Sequence, residues 1–197
     1  MKINDLTVIK HEEINPNTII FYKPVRSFCK LKYRKNDKNK LKTCPNHGKN
    51  PLCPPLSKYR EDILKKYDKF ILVWIRFDFI TWKEQREEKH PGWTPGMVAN
   101  LLHYQKSLKK LLKDYIKKHF NPFPDELFGC GSGFWGKQSM ESAGMLVLDL
   151  LNKSGEIIKK GIYSLNGIRF EQKPTYEIVL SSLLCFKNKK SLEDYLR

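Results

Sequence analysis

Residues 28–56 carry the periodicity of neither a helix nor a strand, yet three of the chain's five cysteines, Cys29, Cys44 and Cys53, fall inside that stretch. A loop of this length within a compact domain is uncommon unless it is disordered or functional. Lys, Asn, Pro and Gly dominate it. The thiols give it something to be organised around, so the remaining residues must supply a platform on which this loop can close.

The central run reads Cys44-Pro45-Asn46-His47-Gly48-Lys49-Asn50-Pro51-Leu52-Cys53-Pro54-Pro55. Thiolate is favoured where positive charge and backbone N–H groups surround it. Lys30, Lys32, Lys42 and Lys49 supply the charge. Gly48 permits a tight turn that would aim amides at sulfur, and the prolines lower the cost of ordering the segment. Cys29, Cys44 and Cys53 are therefore expected to converge on one metal site. Three candidates exist for its fourth position. Cys130 sits in a second flexible run, Gly129-Cys130-Gly131-Ser132-Gly133. His47 follows Cys44 at the Cys-x-x-His pitch of zinc knuckles. The position can also stay open for water or substrate. Structural zinc usually shows paired Cys-x-x-Cys spacing, which is missing here. The wide spacing and Cys-Pro steps favour an iron–sulfur cluster of the 4Fe-4S type, with zinc as the alternative. Cys185, in an apolar run, reads as a core thiol.

The run 44–55 resembles the signature of an uncharacterised family of predicted metal-binding proteins, Cys-Pro-Asn-x-Gly-Lys-x-x-x-Cys-Pro-Pro with a further cysteine before it. Gly136-Lys137-Gln138-Ser139-Met140-Glu141-Ser142-Ala143-Gly144 is similar to that family's basic, Ser-Met-Glu-containing helix start. The likeness spans much of residues 29–150. Three departures stand out. Cys130 is alone where the family carries several cysteines, His47 occupies an aromatic position, and a Lys-rich insertion separates Cys29 from Cys44. The resemblance implies metal binding, gives His47 no ligand role, and supplies no reaction.

Charge narrows the partner. Lys and Arg number 37 against 21 Asp and Glu, a net +16, and such a field draws polyanions. The excess is clustered. Residues 30–42 hold seven basic side chains and one acid, Asp37. Lys106, Lys109, Lys110, Lys113, Lys117 and Lys118 form a second cluster at helical spacing. The expectation is a metal- or cluster-binding protein that acts on or docks to nucleic acid, in a setting such as RNA modification. Lys30, Lys32, Arg34, Lys35, Lys38, Lys49 and Lys137 would meet phosphate. The alternatives are a non-catalytic module stapled by zinc, or a cluster enzyme acting on a small anionic metabolite. Gly131-x-x-x-x-Gly136-Lys137 lacks the Ser or Thr of a P-loop, having Gln138 instead. The free amides of a helix starting at Ser139 could still receive an anion beside Lys137. Trp82, Trp93 and Trp135 read as loop anchors, and stacking on bases is their other use.

No run approaches the ~18 apolar residues of a membrane span. The start, Met1-Lys2-Ile3-Asn4-Asp5, lacks a signal-peptide core, so a reducing, cytoplasmic location is expected. The patterns predict strands over 18–22, 69–79 and 176–186. They predict helices over 57–67, 94–120 and 139–151, with a charged connection over 81–93. Val98, Leu101, Leu102, Leu108, Leu112, Tyr115 and Ile116 make the long helix's core face. Together these give a single α+β domain over 1–197, with a mixed or antiparallel sheet, flanking helices and the cysteine loop laid over it.

Overall fold

Apolar residues fill both faces of the segment 70–75, which suits it to the centre of a sheet. The computed structural model describes residues 2–30, 34–35, 41–100, 103–131, 133–153 and 177–187. Its strands are β1 (Thr7–Ile14), β2 (Arg34–Lys35), β3 (Leu41–Lys42), β4 (Lys69–Asp78), β5 (Glu126–Phe128) and β6 (Glu177–Phe186). Its α-helices are α1 (Ile63–Lys66), α2 (Phe79–Lys89), α3 (Pro95–Val98), α4 (Gln105–His119), α5 (Met140–Ala143) and α6 (Val147–Lys153). The main sheet runs β1-β4-β6-β5 and is antiparallel at every pairing. The class is α+β, as expected.

Alternation along β4 divides the core in two. Phe70, Leu72 and Trp74 face one layer, with Ile63, Met140, Ala143 and Leu150. Ile71, Val73, Ile75 and Phe77 face the other, with Leu108, Leu112 and Ile116 of α4 and Trp82 of α2. β1 is tied to α4 at the sheet edge, where His11 Nδ1 and Tyr115 Oη lie 2.6 Å apart. Burial, with His119 adding to it, holds His11 below its ordinary pKa.

Several elements depart from their expected form. Residues 18–22 are not a strand. Asn15 caps a 3-10 turn over Pro16–Thr18, and the Tyr22 N–H goes to the Gly144 carbonyl at 2.7 Å. The edge strand is β1 instead, and its exposed residues dilute the apolar alternation. The connection 81–93 is largely helix α2. Asp78 accepts the Thr81 N–H at 3.0 Å and starts it, and only Phe79 and Trp82 are buried, so no helical stripe marks it. Thr94 does cap a helix, but α3 ends after one turn and α4 begins separately at Gln105. Val98, Leu108, Leu112 and Ile116 are fully buried; Leu101 and Leu102 lie outside the described residues. The helix expected over 57–67 is reduced to α1, and Ser57 is a buried anchor rather than a cap. The helix expected over 139–151 is two, α5 and α6, divided by Gly144.

Candidate metal loop and nucleic-acid interface

Cys29 lies in the last turn of a 3-10 stretch, Lys23–Lys30. Within the Lys-rich insertion after it β2 and β3 pair antiparallel, with Arg34 opposite Lys42 and Lys35 opposite Leu41. That pairing brings the two cysteines side by side, and the Cys44 N–H donates to the Cys29 carbonyl at 3.3 Å. Beyond Cys44 the chain winds on itself. The N–H groups of His47 and Lys49 reach the carbonyls of Cys44 and Asn46, and that of Cys53 reaches Asn50 at 2.9 Å. Gly48 adopts the left-handed φ of 71° its turn requires, but its N–H donates to the Pro54 carbonyl at 2.9 Å. The amides expected to face sulfur are thus spent on carbonyls.

Cys29 and Cys44 are half-buried and Cys53 is buried. Three thiols on one self-closed loop suit a thiophilic ion or an iron–sulfur cluster in donor chemistry. As the side chains stand, no three His, Cys, Asp or Glu among the described residues gather where one metal ion could be held. Lys30 and Lys49 are exposed beside the loop. Arg34 and Lys35 form β2, and Lys32 and Lys38 lie outside the described residues.

The loop is fixed to α5. The Arg26 guanidinium donates to the Ser57 carbonyl, the Arg60 N–H donates to the Ala143 carbonyl at 3.0 Å, and Gln138 Nε2 donates to the Lys58 carbonyl at 2.6 Å. Run 44–58 and segment 136–144 therefore adjoin in space. At the anion site expected at Ser139, two of the amides already have partners. α5 is one turn long, the Ser142 N–H is taken by Ser139 Oγ at 3.1 Å, and the Met140 N–H by the Gly129 carbonyl at 3.4 Å. Lys137 is exposed.

Cys130 follows β5 and packs against the α4-side layer, whereas the cysteine loop is fixed to α5, whose Met140 and Ala143 belong to the opposite layer. Burial pushes the Cys130 thiol up to about 12, with Lys109 and Lys113 pulling the other way and Glu141 adding to the rise. Removing that proton is a cost that any metal bound there must meet.

A second assembly was only partly legible in the sequence. None of the six α4 lysines forms a salt bridge with a described residue. Lys113 Nζ sits over the rings of Phe134 and Trp135, at 5.3 and 5.5 Å from their centres. Lys109 reaches the same loop, since a Cβ added to Gly131 would stand 3.8 Å from its Nζ. Phe123, 49% exposed, lies 5.2 Å from Trp135, and Trp135 holds a left-handed φ of 55°. The lysine run was visible as a charged helix face; its meeting with these aromatics depends on tertiary packing. Trp82 is a buried anchor as expected, and Trp93 stacks on His90 at 4.0 Å. No helix among the described residues is long and apolar enough to cross a membrane. No family model matches the chain, and no curated protein or solved structure is detectably similar to it.

Proposed function

We propose that this chain binds a metal ion or iron–sulfur cluster in its cysteine loop and docks to nucleic acid through its basic surface. The observation that carries the reading is the clasp between Cys44 and Cys29, which joins two thiol-bearing residues across a long insertion and leads into the turn holding Cys53. For this the three side chains must turn their sulfurs toward one point, which they do not do as they stand. Cys29, Cys44 and Cys53 would hold the group, with His47 or an open position as the fourth; Cys130, which packs with the α4-side layer, would complete it only if its loop turned toward theirs. An iron–sulfur cluster there would supply an electron-transfer or Lewis-acid centre, and zinc would staple the loop.

The test is metal and sulfide analysis, with an absorption spectrum, on protein purified without oxygen. Each of Cys29→Ser, Cys44→Ser and Cys53→Ser is expected to abolish most of the bound metal. Cys130→Ser and His47→Ala, assayed beside them, identify the fourth ligand; loss only in His47→Ala favours the zinc-knuckle form. Metal content untouched by all three loop substitutions would refute the site.

A further inference from the structure

We infer that the face made by α4 and loop 129–137 binds single-stranded nucleic acid, with Phe123 and Trp135 stacking on unpaired bases and Lys109, Lys113 and Lys117 holding successive phosphates. The inference rests on the nucleic-acid half of the reading above and names the form of the ligand.

Three observations converge on it. First, Lys109, Lys113 and Lys117 follow one another at helical i, i+4 spacing on one face of α4, about 6 Å apart along its axis. They form no salt bridge with a described residue; Lys117 is exposed, and Lys113, held over the Phe134 and Trp135 rings, carries a charge no carboxylate among the described residues neutralises. Second, aromatic rings stand at the edge of that row: Lys113 contacts Trp135, and Trp135 contacts Phe123. Nearly half of Phe123 is open to solvent at 49%. Third, Trp135 keeps a backbone conformation that bulky residues rarely adopt, and the loop around it is held by its own bonds. The Gly136 N–H meets the Gly133 carbonyl and the Lys137 N–H the Phe134 carbonyl, at 3.1 and 3.0 Å. The indole is therefore pre-placed, with little ordering left to do on binding.

A duplex hides its base faces and would use the lysines alone. Rings beside a lysine row gain energy only from bases that are already unstacked. A membrane surface is the weaker occupant, because adsorption needs a broad apolar helix face, and on α4 that face, Leu108, Leu112 and Ile116, is fully buried in the core.

The experiment is fluorescence-anisotropy titration of the full chain with labelled oligo-U and oligo-dT of about 12 nucleotides, a hairpin duplex, and anionic phosphatidylserine vesicles, at ~50 and ~200 mM salt. Either oligonucleotide is expected to bind at least about tenfold tighter than the duplex, and comparing the two shows whether the sugar matters. Phe123→Ala and Trp135→Ala should each weaken binding by about 5- to 100-fold with the salt slope unchanged, and Trp135→Phe should recover most of the loss. Lys109→Gln and Lys113→Gln should each reduce the log–log salt slope by about 0.7. Phe123→Ala alters an exposed ring, so it gives the answer even if Trp135→Ala misfolds. Equal binding of strand and duplex, indifferent to both aromatic substitutions, overturns this inference and leaves nucleic-acid docking standing. Binding to no oligonucleotide at ~50 mM salt, or to vesicles alone, overturns both.

Discussion

Gly144 decides how the cysteine loop meets the sheet. It takes a left-handed φ of 106°, and a Cβ there would stand 2.6 Å from Tyr59 Cδ2. Its carbonyl accepts the Tyr22 N–H, while Tyr59 packs edge-on against Phe21. The sequence offered no warning, because the apolar pattern runs on through 139–151 as though one helix were intended. Only the close approach of the Tyr59 ring, a tertiary event, makes glycine necessary. Gly144→Ala must carry both a positive φ, about 1 kcal/mol, and an overpacked contact, about 1–3 kcal/mol. Urea denaturation should therefore show a loss of about 2–4 kcal/mol. A loss below about 1 kcal/mol would mean that Tyr59 swings away freely and that this contact does not position the loop.

Among the elements, those with apolar residues on both faces were legible. β4 ends one residue before its expected limit, and β6 fills its expected span from Glu177 on, Tyr176 lying outside the described residues. The Thr94 cap was legible as well, since it is set by adjacent residues. What escaped was structure fixed by contacts between distant segments: β1 at the edge, α2 with its two buried residues, and the two-residue strands that fold the insertion back to Cys29. The cysteines could be nominated from their spacing, but not how the chain brings Cys29 beside Cys44. One such long-range connection is Arg60. Its Nη2 and Nη1 donate to Glu126 of β5 at 2.8 and 3.3 Å, and Tyr67 Oη donates to the same carboxylate at 3.2 Å. Burial alone would raise the Glu126 pKa, but hydrogen bonds from Arg60 and its charge outweigh it and hold the carboxyl below its ordinary value. A depressed carboxylate stabilises the fold above its unfolded pKa, and that contribution is lost as pH falls through the folded one. Glu126→Gln should cost about 1–2 kcal/mol at neutral pH and flatten the acid limb of the stability profile below about pH 4.3. Arg60→Ala should cost more, because it leaves a half-buried carboxylate without its cation. Equal acid limbs in wild type and Glu126→Gln would show that this connection does not govern acid unfolding.

For the whole molecule, the net +16 sets two opposing responses to salt. Self-repulsion among excess lysines disfavours the compact state, and screening relieves it. Ion pairs such as Arg76–Glu177 at 2.6 Å and Lys83–Glu87 at 3.1 Å weaken under the same screening, but such surface pairs contribute only about 0–1 kcal/mol each. The excess should win in the free protein. Going from ~0.1 to ~1 M NaCl shortens the screening length from about 10 to 3 Å and should raise Tm by a few degrees, since about 1 kcal/mol moves a domain of this size by roughly 2–4 °C. A bound polyanion reverses the sign. It neutralises the lysines and stabilises the fold by mass action, an increment that salt removes as counterions compete for the same sites. Tm measured with and without an excess of oligo-U should therefore differ at ~0.1 M NaCl and converge at ~1 M, with the free protein's curve rising toward the common value. A free-protein Tm that falls with salt would assign the balance to the ion pairs. A free-protein Tm that rises while oligo-U adds nothing at low salt would show that repulsion among the lysines is relieved by screening alone, with no polyanion site to relieve it.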